Sequence, residues 1–106
     1  MNIKEIKKEA LLVRVCATRQ IMGEDAAQAA AQSINQLLKE KEEINILFAA
    51  APSQNEFLAA LQKYALPWNR IHALHMDEYI GLDGNAPQAF GRFLRDRLFS
   101  KVPFKS

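Results

Sequence analysis

The chain has 106 residues, of which 49% are hydrophobic and 25% are charged, close to the average for a soluble globular domain. A net charge of +2 is too small to indicate a nucleic-acid or membrane partner, and no apolar run is long enough to span a bilayer. The polar N-terminus lacks the apolar core of a signal peptide, and the single cysteine, Cys16, excludes an internal disulfide. We therefore expect one soluble, cytoplasmic domain over residues 1–106.

Strands and helices are predicted to alternate along most of the chain. A short charged helix over residues 3–10 is followed by a first strand over 11–16 and a long helix from an N-cap at Thr18 to about Lys41. A second strand (44–50), a helix carrying Phe57 to Tyr64, a third strand (71–76) and a helix beginning at Pro87 complete the order. In the long helix, the predicted apolar stripe is Met22, Ala26, Ala30, Ile34, Leu37 and Leu38.

This alternation predicts an α/β fold with a parallel sheet, covered by helices on both faces and joined by right-handed crossovers. Three parallel strands are few for such a sheet, because parallel strands are normally covered on both faces and paired on both edges. We therefore infer either part of a longer chain or a fragment that completes itself by forming a homo-oligomer.

Two loops are expected to meet at the carboxyl edge of this sheet. After the third strand come Asp77 and Glu78, whose side chains should point in opposite directions on an extended segment. One carboxylate can then enter a cleft as a general base while the other bonds a neighbouring loop. Strand-end acids that only cap loops or pair with arginine are the structural alternative.

The loop after the second strand carries Ser53, Gln54 and Asn55 at the start of a helix. Backbone N–H groups at a helix start can bind an anion such as phosphate, whereas Ser53 can also serve simply as a helix N-cap. Nearby on the third strand, His72 and His75 should face opposite sides of the sheet. They are therefore not predicted to form a paired metal site, and no metal is expected.

The residues Met76-Asp77-Glu78-Tyr79-Ile80-Gly81-Leu82 closely resemble the M-D-E-Y-x-G-L segment of glucosamine-6-phosphate deaminases. These enzymes are grouped with galactosamine-6-phosphate isomerases and 6-phosphogluconolactonases. Pro87-Gln88-Ala89-Phe90 resembles the helix start that follows this segment, and Leu98-Phe99-Ser100 resembles the end of that helix. The resemblance covers roughly residues 11–106 and suggests the N-terminal part of a larger domain.

This resemblance implies a Rossmann-like three-layer fold, present here as a partial unit of three strands, and a phosphorylated amino sugar as substrate. The implied reaction is an aldose–ketose isomerisation through an enediol, with loss of ammonia in the deaminases. Asp77 matches the general base, and no cofactor is needed for its step. The implied substrate-binding residues are Ala50, Ala51, Ser53, Gln54 and Glu78.

The chain departs from the family in two respects. The family's phosphate loop resembles T-G-[GS]-[ST]-P, whereas this chain reads Ala49-Ala50-Ala51-Pro52-Ser53 and lacks the glycines. The family's ring-opening histidine and phosphate-binding lysine belong to later segments. The 106-residue chain is therefore expected to be inactive alone. The alternatives are a non-catalytic sugar-phosphate sensor, a 6-phosphogluconolactonase-like hydrolase, and a self-associating structural fragment.

Overall fold

A computed structural model of the chain describes residues 3–78, 80–83 and 85–106. The strands are β1 (Ile3–Lys8), β2 (Leu11–Cys16), β3 (Ile44–Phe48) and β4 (Ile71–His75), and the helices are α1 (Arg19–Glu40), α2 (Asn55–Leu61) and α3 (Phe90–Leu94). Short 3₁₀ turns at Pro52–Gln54 and Trp68–Arg70 precede α2 and β4, and a π-helical turn, Arg95–Phe99, extends α3. The predicted α/β class is confirmed.

The N-terminal segment forms a β-hairpin, so the helix predicted over residues 3–10 is wrong. β1 pairs antiparallel with β2, from Ile3 opposite Cys16 to Lys8 opposite Leu11. Glu9 adopts the left-handed conformation (φ 54°) that a two-residue hairpin turn requires. So short a helix is marginal by itself, whereas a strand here satisfies the backbone groups of the β-branched segment that follows.

The parallel sheet contains β3 and β4, with Ile44 opposite Ile71 and Phe48 opposite His75. In the described residues β2 pairs with β1 and not with this sheet, which corrects the prediction of three parallel strands. The outer edge of β4 is partly covered by the end of the chain, because the Lys105 amide donates to the Ile71 carbonyl at 2.9 Å and the Ala73 amide to the Ser106 carbonyl at 3.0 Å. The outer edge of β3 has no strand beside it in the described part of the chain.

Helices cover one face of this sheet. Ile44, Phe48 and Ile71 belong to one buried cluster together with leucines from all three helices. On the opposite face Leu47, Leu74 and Met76 are 50–61% exposed. The described residues therefore form two layers where three were predicted, because every helix packs into the same core.

Helix α1 is confirmed, and the Thr18 hydroxyl caps it by accepting from the Ile21 amide at 3.1 Å. The predicted buried stripe is rotated, however, since Met22 and Leu37 are 50% and 44% exposed. The residues of α1 that are buried are Gly23, Ala27, Ala31, Ile34 and Leu38. The reason is the close approach of α2, which places the smallest residues of α1 against it. A Cβ on Gly23 would lie 2.6 Å from the Glu56 Cβ.

Two predicted helix boundaries are also corrected. α2 ends at Leu61, so Tyr64 lies beyond it and is 37% exposed, several residues before Pro67. Pro87 lies in a turn, and α3 begins three residues later at Phe90. Local sequence favoured Pro87 as a helix start. The helix begins instead where its first backbone amides bond to the carboxylate of Glu78.

Candidate functional site

The loops that follow β3 and β4 leave the sheet at the same edge, as expected for parallel strands. The Met76 amide donates to the Phe48 carbonyl at 2.9 Å, which extends the pairing one residue beyond β4. Asp77 and Glu78 come next, while Ala49 to Ala51 leave the neighbouring strand. The structure thus brings the predicted acids and the predicted phosphate loop to one rim.

Asp77 is exposed to solvent at this rim. Its carboxylate makes no hydrogen bond or ion pair with any described residue. Tyr79, which carries part of the recognised motif, lies outside the described residues, as does Gly84.

Glu78 has a different environment from its neighbour. Its two carboxylate oxygens accept hydrogen bonds from the backbone amides of Phe90 at 2.8 Å and Gly91 at 2.9 Å. Both amides belong to the first turn of α3, where backbone N–H groups lack partners within the helix. A carboxylate there is also favoured by the helix dipole. Glu78 therefore caps α3 and joins the end of β4 to that helix.

His75 and Gly91 complete this junction; the sequence drew attention to His75 only as a possible metal ligand, and it gave no role to Gly91. The His75 Nε2 atom lies 3.7 Å from the nearer Glu78 carboxylate oxygen. A Cβ on Gly91 would lie 3.3 Å from that same oxygen and 3.4 Å from the His75 Cε1 atom. A glycine at this position lets α3 approach the end of β4 closely. Only the distance between these segments in the fold reveals that requirement.

The predicted substrate-binding residues Ala50 and Ala51 are half-buried in the loop after β3. Ala51 is extended, with φ −161°, and the chain then turns through Pro52–Gln54 into α2. The Gln54 amide donates to the Ala51 carbonyl at 2.9 Å, and the Asn55 amide donates to the Pro52 carbonyl. Two amides at the start of α2 are thus bonded within the loop and are not available to an anion.

Ser53 is exposed and Gln54 is half-buried. The N-cap of α2 is Gln54, and no side chain caps the helix, so the alternative of Ser53 as an N-cap is wrong. Ser53 and Gln54 line a cavity of about 290 Å³ together with Arg19, and Asp77 is not among its lining residues.

Arg19 is a cation beside this loop that sequence reasoning did not identify. Its Nη2 atom donates to the Pro52 carbonyl and to the Glu56 carboxylate, each at 3.0 Å. The side chain remains 61% exposed, so its guanidinium is accessible at the mouth of the cavity. In the sequence Arg19 is recognisable only as a cation in the first turn of α1. The packing of α1 on α2 brings that turn to the loop, and the sequence does not reveal this packing.

The two histidines have separate partners, as the alternation predicted. His72 lies near Glu43 and Ser106 at the opposite end of the sheet, whereas His75 lies near Glu78. Among residues 3–78, 80–83 and 85–106, no cluster of three or more histidine, cysteine or acidic side chains could hold a metal ion. No helix in this part of the chain is both long and apolar enough to cross a membrane.

No protein-family model matches the chain. The chain is similar to a glucosamine-6-phosphate deaminase of Exiguobacterium sp., with 32% identity over 81 residues, 76% of this chain and 32% of that protein. A glucosamine-6-phosphate deaminase of Streptococcus pneumoniae is 35% identical over 57 residues, 54% of this chain and 24% of that protein. The chain thus spans about a third or less of the length of these curated relatives.

Solved structures define the fold. A structure described as a monomeric glucosamine-6-phosphate deaminase superposes with a TM-score of 0.72 and 24% identity, over 82% of this chain and 36% of that one. A 6-phosphogluconolactonase from Shewanella baltica superposes with a TM-score of 0.74 and 14% identity, over 82% of this chain and 39% of that one. The structure is therefore a partial unit of the Rossmann-like fold that these enzymes share.

The more particular resemblance comes from the sequence. The similarity to glucosamine-6-phosphate deaminases that the Met76–Leu82 segment indicates is confirmed over half to three-quarters of the chain.

Proposed function

We propose that this chain is the part of an amino-sugar-phosphate deaminase/isomerase that carries the general base, Asp77. The observation that supports this most directly is the contrast between two adjacent acids at the end of β4. Glu78 is bonded to the α3 backbone, while Asp77 is exposed and has no partner among the described residues. The substrate is glucosamine 6-phosphate or galactosamine 6-phosphate, and residues 1–106 form the N-terminal part of a larger sugar-phosphate isomerase domain.

The proposed role of Asp77 is to move a proton between C2 and C1 of the open-chain sugar through an enediol. A carboxylate fixed at a strand end can reach two adjacent carbons without changing its position, which suits proton transfer between them. The cap formed by Glu78 supports this role, because it ties the backbone next to Asp77 to α3. This proton transfer needs no cofactor. Glu78 then acts on the substrate through the position of Asp77, and direct substrate contact by Glu78 stays a prediction.

Phosphate binding is proposed at the loop with Ala50, Ala51, Ser53 and Gln54. The amides of Gln54 and Asn55 are used within the loop, so the Ser53 hydroxyl, the Gln54 side chain and the nearby Arg19 guanidinium are the groups that could reach an anion. The experiment is a titration of ¹⁵N-labelled chain with glucosamine 6-phosphate and with glucosamine. Shifts of the Ala50, Ala51, Ser53 and Gln54 amides with the phosphorylated sugar alone support the site, and equal responses to both sugars contradict it.

The assay uses the protein that the complete reading frame encodes. Asp77→Asn is expected to reduce its turnover about 10²- to 10⁴-fold, the usual contribution of a general base. Turnover is measured as ammonia and ketose phosphate formed from each amino-sugar phosphate. Asp83→Asn is the matched control, because Asp83 is an exposed acid of the same loop that accepts from the Asn85 amide. Undiminished turnover in Asp77→Asn would remove this residue from the mechanism. The 106-residue chain alone is expected to show no turnover.

A second candidate function is a non-catalytic sugar-phosphate sensor, favoured by the internal hydrogen bonds of the phosphate loop and its alanines. Saturable binding of a sugar phosphate by the protein that the complete reading frame encodes, without ammonia release, would support the sensor over the enzyme. Hydrolysis of 6-phosphogluconolactone, measured as the acid it releases, would instead support a lactonase. The Tyr79-containing motif favours the deaminase over this last activity.

A further inference from the structure

The loop after β3 carries no charge of its own for a phosphate group. Residues 49–55 are all neutral, and the alanines among them replace the glycines that would bring backbone close to an anion. The amides of Gln54 and Asn55 already donate to carbonyls of the same loop. A phosphate held at this loop therefore depends on a cationic side chain that another element brings to it.

Two arginines of the described residues bond to this loop or to the first residue of α2. Arg19 donates to the Pro52 carbonyl, lines the cavity of about 290 Å³ and is 61% exposed. Arg97 donates from Nε to the Asn55 side-chain oxygen at 2.7 Å, and its Cζ atom lies 3.8 Å from the centre of the Phe93 ring. Arg97 is half-buried and does not line the cavity, so Arg19 is the accessible cation.

Arg19 has hydrogen-bond donors left for an anion. Both of its hydrogen bonds, to the Pro52 carbonyl and to the Glu56 carboxylate, come from the Nη2 atom. The Nε and Nη1 atoms make no hydrogen bond with the described residues. The N–H groups of a planar guanidinium form a fork that matches two oxygens of a phosphate group. Arg19 can therefore bind a phosphate while it keeps its contact with the loop.

Glu56 shares the charge of Arg19 and lines the same cavity. It belongs to the first turn of α2, and its side chain is 25% exposed. The close approach of the two helices holds it beside α1, since a Cβ on Gly23 would lie 2.6 Å from the Glu56 Cβ. A carboxylate in this position repels a phosphate and competes with it for the guanidinium. The pair that joins α1 to α2 thus also sets the charge that an anion meets.

We propose that Arg19 makes the site selective for phosphorylated over unphosphorylated amino sugars by binding the phosphate group, and that Glu56 limits this affinity by competing for the same guanidinium. The inference rests on the proposed function, because it concerns the phosphate end of the same substrate. The alternative is that the Arg19–Glu56 pair only joins α1 to α2. The two roles predict opposite effects of removing the Glu56 charge, which tightens phosphate binding in the first case and does not in the second.

Isothermal titration calorimetry tests the proposal on the protein that the complete reading frame encodes, with glucosamine 6-phosphate, inorganic phosphate and glucosamine as probes. Arg19→Gln is expected to raise the dissociation constants of the two phosphates about tenfold or more, because a charge-assisted hydrogen bond is lost. Binding of glucosamine should not change. Arg19→Lys should retain part of the affinity, since it keeps the charge without the fork. Glu56→Gln should lower both phosphate dissociation constants about two- to fivefold, the range of an exposed ion pair.

Arg97→Gln is the matched control, because it removes an arginine bonded to the first residue of α2 that does not line the cavity. If Arg19→Gln loses its far-UV circular dichroism, Arg19→Lys and Glu56→Gln carry the test. Weaker or unchanged phosphate binding in Glu56→Gln, equal losses in Arg19→Gln and Arg97→Gln, or a parent that binds neither phosphate would overturn the proposal.

Ammonia release by the parent, measured in parallel, separates this inference from the proposed function. Phosphate binding that depends on Arg19 without ammonia release would support the inference and contradict the deaminase. Ammonia release by a parent whose phosphate affinity Arg19→Gln leaves unchanged would support the deaminase and overturn the inference.

Discussion

At the scale of single residues, the adjacent acids Asp77 and Glu78 show how position changes the role of one chemical group. Both follow the end of β4, and their side chains lie in different environments. Glu78 accepts two amide hydrogen bonds from α3, whereas Asp77 is exposed to solvent. The structural contribution of the pair therefore belongs to Glu78, and the proposed catalytic contribution belongs to Asp77.

Glu78→Gln is expected to lower the free energy of unfolding by about 1 kcal/mol, because an amide oxygen replaces one charged acceptor and an NH₂ group faces the other backbone amide. Asp77→Asn makes the same chemical change one residue earlier and is expected to alter stability by less than about 0.5 kcal/mol, as surface substitutions usually do. Urea unfolding followed by circular dichroism measures both. Equal losses in the two variants would show that the α3 cap contributes nothing specific.

At the scale of elements, the contact between α1 and α2 sets which face of α1 is buried. Gly23 lies against the backbone of α2, and a Cβ there would come within 2.8 Å of the Glu56 carbonyl carbon and 2.9 Å of the Phe57 nitrogen. Backbone atoms cannot move aside as a flexible side chain can. The two helices could approach this closely only with glycine at that position, so this contact outweighs the larger apolar area of the Met22 stripe.

Gly23→Ala is expected to destabilise the chain by about 1–3 kcal/mol, the usual cost of overpacking, although alanine is the better helix former. Asn35→Ala is the control on the exposed surface of α1. Alanine is the better helix former and meets no neighbour there, so this change should raise the free energy of unfolding by about 0.5 kcal/mol. Thermal or urea unfolding reports both changes. A Gly23→Ala variant as stable as the parent would show that α1 and α2 can separate without cost.

At the scale of the whole molecule, distant parts of the chain are joined by exposed ion pairs as well as by the core. Arg14 of the hairpin bonds Asp25 of α1 at 2.7 Å and also pairs with Glu5. At the far end of the sheet, Glu43 bonds the Lys105 Nζ atom at 2.8 Å. It also lies 3.2 Å from the His72 Nε2 atom. This second group fastens the end of the chain beside β4, but exposed pairs of this kind contribute little each.

The Glu43 group predicts a pH dependence. Its hydrogen bonds to Lys105 and then His72 lower the pKa of Glu43 below its ordinary value of 4.5, so its contribution is present above that pH and lost as pH falls through the lowered value. The hydrogen bond to Glu43 raises the pKa of Lys105 above 10.5, so its contribution is lost as pH rises past that value. We expect the Glu43–Lys105 pair to stabilise the chain between about pH 5 and 10.

Unfolding midpoints of the parent and of Glu43→Gln, measured across pH, test this expectation. The difference between the two midpoints should be largest between about pH 5 and 10 and should disappear at acid pH. It should also shrink in 1 M salt, because screening weakens exposed pairs. A difference that stayed constant from acid to alkaline pH would show that the charge on Glu43 does not matter.

Much of the site's location could be predicted from the sequence alone, because it depends on short-range patterns. The Thr18 cap, the two parallel strands and the position of Asp77 at a strand end follow from local residue chemistry and from the meeting of parallel strands at one edge. The motif around Asp77 also indicated relatives that the comparisons bear out. Boundaries set by a local signal, such as the start of α1, were placed correctly for the same reason.

Tertiary structure decided the features that depend on residues far apart in the chain. It made residues 3–8 a strand by pairing them with β2, and it turned the Gly23 face of α1 inward against α2. It also brought the Glu78 carboxylate to the backbone amides of Phe90 and Gly91, 12 and 13 residues later in the chain. The helix therefore begins at Phe90 and not at the predicted Pro87. Each outcome balances local preference against a contact between distant segments, and the free energy of that contact is not encoded in any single stretch of sequence.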